Sequence, residues 1–227
     1  MQPYLFPYIG YFQLIHAVDT FVVYDDVNFI KKGWINRNSI LVNAMPYLFT
    51  MNLKEASQNK LINEIKIDSE SNWKKNLLKT LNLSYKKAPY FAAAFPVIEE
   101  IILNEESNLA QFITTSLKKV SAFIGIQTLI IISSEIEKNN ASKGSDRILA
   151  VCKSIGATHY VNAIGGRDLY DSNNFSKNHI NLQFIQTKQI KYPQFKNEFS
   201  PSLSIIDVMM FNSAEEIKSH LNQYELI

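Results

Sequence analysis

The sequence predicts an α/β fold with a Rossmann-like, mainly parallel sheet and a helical insertion. Three observations lead to this prediction. Short β-branched and aromatic runs, typical of buried strands, occur in both the first and the second half of the chain. In the second half, such runs alternate with stretches of helical apolar spacing, which is typical of parallel sheets. The stretch between them, residues 72–124, shows helical patterns alone.

The length of the chain favours one domain. Its 227 residues suffice to bury a core without disulfides or metal ions. Neither an internal repeat nor a low-complexity linker divides the sequence. We therefore predict a single domain over residues 1–227, with the helical segment at about 72–124 as an insertion or flank.

The individual elements follow from apolar periodicity. Apolar residues recur at helical spacing between Gly10 and Asp19, and further helices are predicted over 72–85, 90–103, 109–124, 145–154 and 204–210. Strands are predicted over 20–24, 34–42, 47–53, 61–67, 127–132, 158–162 and 182–185, with a turn at 43–46. In the last helix, Ser204 and Asp207 are predicted to have capping roles at its N-terminus.

Charge and composition exclude several classes of protein. The formal net charge is only +2 and the lysines are scattered, so we expect no nucleic-acid partner. The longest apolar runs, such as residues 128–132, are too short to predict a membrane span. A single cysteine, Cys152, rules out an intrachain disulfide, and no signal peptide pattern is present. Together these observations predict a cytoplasmic location.

The segment from Gln2 to Phe12 is the most unusual in the sequence. Pro3 and Pro7 fix their own φ angles and favour extended neighbours, while Gly10 permits a close backbone approach. This composition predicts a shaped loop, and such loops often form binding sites. The alternative is an aromatic plug that closes the end of the core.

Three polar clusters are expected at the carboxyl ends of strands, where parallel sheets bind their ligands. They are Gln2 with the aromatic loop, the pair Asp25–Asp26, and the segment 165–168 that contains Arg167. Adjacent carboxylates suit a base or a cation site, but neighbouring strand residues point to opposite faces. An equally favoured role is a strand-ending aspartate that binds loop amides. No third ligand lies nearby in the sequence, so no metal site is predicted.

Arg37 lies between two asparagines in a strand-like segment. A guanidinium group there suits bidentate binding of phosphate or carboxylate, with Asn38 beside it. The alternative is a structural salt bridge to one of the aspartates at positions 19, 25 and 26. The four histidines match no zinc or catalytic motif, and Cys152 is expected to be a buried thiol.

Several of these segments resemble the WbqC-like family, and the resemblance covers essentially the whole chain. It is carried by Gln2-Pro-Tyr, Pro7-Tyr-Ile-Gly-Tyr-Phe12, Asp25-Asp26-Val27, Trp34-x-Asn36-Arg37-Asn38, Ala88-Pro-Tyr-Phe91, Ser134, Asp146-Arg147, Tyr192-x-Gln194 and Leu203-Ser-Ile-Ile-Asp207. Family members carry a few apolar residues before the Gln-Pro pair, which form a first strand. Here Met1 directly precedes Gln2, and we expect this start to be an internal methionine.

The resemblance implies a transferase of O-antigen or other surface-polysaccharide biosynthesis. Such an enzyme would transfer glycine or another small acyl group to a sugar or nucleotide-sugar, with a carrier protein as one possible acyl donor. It leaves the cofactor unknown and supplies no established catalytic residue. The alternative is a non-catalytic protein of the same pathway that binds a nucleotide-sugar or a partner protein.

Chemical reasoning assigns roles to eight residues within the transferase hypothesis. Asp25 is the candidate base for a sugar hydroxyl or amine. The predicted substrate-binding residues share aromatic, amide or cationic side chains near the strand ends, and they are Gln2, Tyr4, Tyr8, Tyr11, Arg37, Asn38 and Arg167.

Overall fold

Helices and strands alternate after a central helical stretch, as the sequence predicts, whereas before it one α-helix precedes five strands. The computed structural model describes residues 1–138, 143–196 and 198–227. Its helices are α1 (Ile9–His16), α2 (Trp73–Tyr85), α3 (Phe91–Leu103), α4 (Leu109–Ile124), α5 (Gly144–Ser154), α6 (Ser172–Lys177), α7 (Ile205–Phe211) and α8 (Ala214–Leu221). Its strands are β1 (Thr20–Val23), β2 (Arg37–Val42), β3 (Met45–Thr50), β4 (Leu53–Lys54), β5 (Lys66–Ile67), β6 (Leu129–Ile132), β7 (His159–Ala163), β8 (Asn181–Thr187) and β9 (Tyr224–Leu226).

Parallel pairing occurs at two separate places. β1 pairs with β6 and β7 pairs with β8, both in parallel, while β9 adds an antiparallel strand to β8. The α/β class is therefore confirmed. A continuous Rossmann-like sheet is not, because in the described residues these pairs form separate small sheets.

A cleft separates the two parallel pairs. It has a volume of about 500 Å³ and is lined by β1, β7 and α5. Met1 lies at its edge: the Met1 amino group donates to the Val22 carbonyl at 2.9 Å, and the Tyr24 amide donates to the Met1 carbonyl at 2.7 Å. This is the pattern of a parallel ladder, so the chain enters the N-terminal loop from a position alongside β1.

The remaining strands form two antiparallel pairs, β2 with β3 and β4 with β5. β2 and β3 are joined by Asn43 and Ala44, both with positive φ, as a two-residue hairpin turn requires.

The strand predicted over 61–67 is largely wrong. Residues Ile62–Glu64 form a 3₁₀ helix because the Glu64 carboxylate accepts a hydrogen bond from the Leu61 amide at 2.7 Å, and only β5 remains extended.

The helical stretch is confirmed. α2 buries a stripe at four-residue spacing, Trp73, Leu77, Leu81 and Tyr85, and α4 ends at Gly125 in the left-handed region (φ 86°). These helices pack in the main hydrophobic core, together with α1, α7 and α8. A smaller cluster of Leu149, Cys152, Phe175 and Ile180 lies between α5, α6 and the start of β8.

Some elements differ from the sequence-based expectation. The short helices α6 and α8 and the strand β9 were not predicted, and neither was the 3₁₀ helix Ile164–Leu169. Within the described residues, no helix has both the length and the apolar character needed to cross a membrane.

Candidate functional site

The N-terminal loop is held by two buried side chains that are distant from it in the sequence. The Asn38 amide donates to the carbonyls of Leu5 and Phe6, at 3.2 and 2.8 Å. The Ser204 hydroxyl donates to the Phe6 carbonyl as well, at 2.7 Å. Phe6 has a φ of 43°, a strained value for a bulky residue, and the strain persists because these contacts fix the backbone. Such strained and over-determined segments are common at functional sites.

The aromatic residues of this loop divide into support and surface. Tyr11 is 2% exposed and its hydroxyl donates to the Gln2 carbonyl at 2.7 Å. Tyr4 is half-buried, with its ring centroid 5.7 Å from that of Tyr11, while Tyr8 is 40% exposed. In this conformation Tyr11 and Asn38, both buried, support the loop from within. Gln2 and Tyr4 are partly exposed, so that together with Tyr8 they are accessible from solvent.

Asp25 follows β1 and is 1% exposed. Its Oδ1 accepts from the Ser134 amide at 2.9 Å, and its Oδ2 accepts from the Ser134 hydroxyl at 2.6 Å and from the Asn63 amide at 3.1 Å. Ser134 follows β6 and is itself exposed. The buried Asp25 carboxylate is therefore hydrogen-bonded to a residue that reaches the surface. Its predicted catalytic role stays a prediction.

Asp26 points to different partners. Its Oδ2 lies 2.9 Å from the Lys138 ammonium and 2.7 Å from an Arg147 guanidinium nitrogen. Burial acts to raise the pKa of Asp26, but the Lys138 hydrogen bond and the charges of Lys138 and Arg147 outweigh it and lower the pKa below its ordinary value. Asp26 therefore remains ionised and fixes both cations at the carboxyl ends of β1 and β6.

Arg147 extends this charged cluster towards the end of β7. Its guanidinium carbon lies 5.7 Å from the centroid of the Tyr24 ring, within range of a cation–π contact. Within β7, the Asn162 amide donates to the hydroxyl of Tyr170, which follows the strand, at 3.0 Å, and the hydroxyls of Tyr160 and Tyr170 are 3.2 Å apart. Gly166 packs closely here, since a Cβ would lie 3.2 Å from the Asn162 amide nitrogen.

The two predicted arginines lie in different settings. Arg37 donates to the carbonyls of Gly33, at 2.9 Å, and of Lys32, and it lies 5.9 Å from the Trp34 ring centroid. Within the described residues, Arg37 forms no ion pair with Asp19, Asp25 or Asp26. The structure therefore does not contain the alternative salt bridge. Arg167 is exposed on the 3₁₀ helix that follows β7.

A second buried carboxylate lies behind the loop. Asp207 is fully buried and accepts hydrogen bonds from Tyr85, Tyr192 and Gln194, each at 2.7 Å. Burial raises its pKa in spite of these three donors. The predicted capping role is confirmed for Ser204, whose hydroxyl accepts from the Ile206 amide, but Asp207 instead joins α2, α7 and the segment before α7.

Sequence reasoning assigned no role to Ser134, Lys138 and Arg147. Two of them, Ser134 and Arg147, do belong to the segments that carry the family resemblance, and this was the available signal. Their approach to the aspartates depends on contacts across 109 and 121 residues, which periodicity does not reveal. Among the described residues, no three histidine, cysteine, aspartate or glutamate side chains are grouped as metal ligands.

These features define an α/β protein with polar and aromatic side chains gathered at the carboxyl ends of its parallel strands. The sequence model of the WbqC-like protein family matches residues 2–219, and the chain belongs to this family. A curated relative, the uncharacterized protein Rv1507c of Mycobacterium tuberculosis, is 29% identical over 224 residues, which cover 97% of this chain and 95% of the relative. No solved structure matches the chain.

Proposed function

We propose that the chain is a cytoplasmic group transferase of surface-polysaccharide biosynthesis that acylates a sugar. The observation that carries this proposal is the hydrogen bond from the hydroxyl of Ser134, an exposed residue, to the buried Asp25 carboxylate, at 2.6 Å. A carboxylate that accepts a proton through a surface hydroxyl can serve as a general base for an incoming nucleophile. The family resemblance supplies the reaction class.

The proposed reaction moves one proton and one acyl group. The sugar hydroxyl or amine gives its proton to Ser134 Oγ while the Ser134 proton passes to Asp25 Oδ2. The freed oxygen or nitrogen forms a bond to the acyl carbon, and the bond between that carbon and the carrier thiol breaks. The proton held by Asp25 then returns through Ser134 to the departing thiolate, which restores the starting state.

The other residues of the edge bind and orient. Tyr4 and Tyr8 offer ring faces for stacking on a sugar or a base, and Gln2 lies beside them. Arg167, exposed after β7, is the cation assigned to a phosphate or carboxylate of the substrate. Arg37 uses two of its five N–H donors on loop carbonyls, which leaves its other N–H groups for the predicted anion contact.

A transfer assay tests the proposal. The donor probe is the N-acetylcysteamine thioester of glycine, and the acceptors are nucleoside-diphosphate sugars chosen by ligand-dependent rises in melting temperature. Asp25→Asn and Ser134→Ala should each lower turnover by about 10²-fold or more, the usual size of a general-base contribution. The matched control is Ser219→Ala, an exposed serine on α8.

Two results would count against this assignment. Parental turnover in Asp25→Asn would remove Asp25 as the base. Saturable binding of a nucleotide-sugar without any product over hours would favour the alternative, a binding protein of the same pathway. Circular dichroism of each variant establishes that a loss of turnover is not a loss of fold.

A further inference from the structure

A second cavity lies away from the strand ends, between β3 and the first half of α2. Its volume is about 340 Å³, and its walls are residues 47–50 of β3, residues 71 and 72, and the α2 residues up to Thr80. None of the residues at the carboxyl ends of β1, β6 and β7 lines it. The cavity is therefore a separate place in the molecule, and what it binds is independent of the proposed acyl transfer.

The lining of this cavity carries no charged side chain. It presents three exposed asparagines, Asn52, Asn72 and Asn76. Asn72 is at the N-cap position of α2, yet its side chain makes no capping hydrogen bond. A primary amide has two donors and an acceptor in one plane, which matches a pair of adjacent hydroxyl groups.

Aromatic rings, hydroxyl groups and the side chains of Leu48 and Leu77 complete the lining. Tyr47 is 49% exposed and offers its ring beside the amides. The Thr80 hydroxyl donates to the Asn76 carbonyl at 2.9 Å and retains lone pairs that accept. Trp73 is 5% exposed and packs edge-on against Phe112, with centroids 6.0 Å apart, so this wall is fixed by the core.

These groups select a neutral, hydroxyl-rich ligand. A phosphate or a carboxylate would find no cation in the lining. A purely apolar ligand would leave several amides and hydroxyls without their water. The volume lies at the lower end of the range of about 300–1,000 Å³ for ligand pockets, which suits one or two sugar rings better than a whole nucleotide-sugar. We propose that this cavity is a binding site for a neutral saccharide.

The two tryptophans allow a direct test. Trp34 is 51% exposed and lies outside the cavity, so Trp34→Phe leaves Trp73 as the single indole reporter at the cavity wall. The probes are the methyl glycosides of glucose, galactose and N-acetylglucosamine. Trp73 emission should change saturably with at least one of them, with a dissociation constant in the millimolar range that is usual for such small contacts. Saturation-transfer NMR on the same samples reports binding independently of fluorescence.

Matched variants localise the binding. In the Trp34→Phe background, Asn76→Leu should weaken binding by about tenfold or more, equivalent to about 1.4 kcal/mol. Asn82→Ala, an exposed asparagine of α2 outside the cavity, should leave the dissociation constant unchanged.

Three results would overturn the proposal. They are no saturable response to any of the glycosides in either measurement, equal affinity in Asn76→Leu, or tighter binding of glucose 6-phosphate than of glucose. None of these results bears on acyl transfer at Ser134, so failure here and failure of the proposed function are distinguishable.

Discussion

Two buried aspartates illustrate opposite ways to stabilise a carboxyl group. Asp207, behind the N-terminal loop, is surrounded by neutral donors from Tyr85, Tyr192 and Gln194. Asp26, at the end of β1, is bound by the cations of Lys138 and Arg147. Both side chains are more than nine-tenths buried, so the depth of burial does not distinguish them.

The difference lies in the sign of the pKa shift. Burial dominates at Asp207 and raises its pKa, whereas the cations dominate at Asp26 and lower its pKa. A carboxyl group among neutral donors serves as a packing junction with hydrogen-bond geometry. A carboxylate between two cations maintains a fixed charge pattern beside the proposed site. The region around Asp207 therefore supports the N-terminal loop, whereas the region around Asp26 holds charged side chains at the end of β1.

The largest effect on stability is expected when the hydrogen-bond junction at Asp207 is removed. Asp207→Ala leaves two buried hydroxyls and a buried amide without their acceptor. We expect the free energy of unfolding to fall by about 3–5 kcal/mol, as when a buried hydrogen-bond network is broken. Urea denaturation followed by circular dichroism measures the change. The control is Asp168→Ala at an exposed position, with an expected change within about 0.5 kcal/mol. A similar small change in Asp207→Ala would contradict the role of the junction.

Removal of one cation from the charged cluster should have a smaller effect. Arg147→Met keeps an apolar stem beside Tyr24 but leaves Asp26 with Lys138 as its cationic partner. Because the Arg147 side chain is 17% exposed, we expect a loss of about 1–3 kcal/mol in the free energy of unfolding. Differential scanning calorimetry measures it, with Arg167→Met as the exposed control. Equal midpoints for the two variants would mean that the Arg147 contact contributes nothing.

The pH dependence should have opposite signs at the two aspartates, and this is the smallest effect. The pKa of Asp207 is raised in the fold, so its contribution to stability is full below the ordinary value of 3.8 and is lost as pH rises through the folded pKa. The pKa of Asp26 is lowered, so its contribution is full above 3.8 and is lost as pH falls through the folded pKa.

Difference measurements isolate each contribution. On acidification from neutral pH, the unfolding free energy of the parent should rise relative to Asp207→Asn. Relative to Asp26→Asn, that of the parent should fall once the pH drops below about 3.8. Urea titrations at a series of pH values give both curves. Curves of the same sign would show that the surroundings of the two carboxyls do not differ as described.

The sequence predicted most local structure because that structure depends on nearby residues. The four-residue stripe of α2 and the left-handed Gly125 after α4 are written in the local pattern. The predicted strand at 61–67 failed because a capping contact from Glu64 competes with extension. The sheet topology was less accessible, since β1 and β7 each pair with a strand far along the chain or after an intervening helix.

The position of the two aspartates after a strand was predictable, but their contacts were not. Placing Asp25 and Asp26 after a strand was correct, because β1 ends at Val23. The sequence did not reveal that Asp25 binds Ser134 while Asp26 binds Lys138 and Arg147. Opposite orientation of neighbouring residues follows from strand geometry, but the identity of each partner depends on tertiary packing.

The hydrogen bond between Ser204 and Phe6 also bears on when the N-terminal loop reaches its final conformation during synthesis. The Ser204 hydroxyl that closes on the Phe6 carbonyl is supplied 198 residues later in the chain. Contacts of such long sequence separation form slowly, because a large loop must close first. A ribosome-bound chain that has not yet released Ser204 therefore holds an N-terminal loop without its final shape.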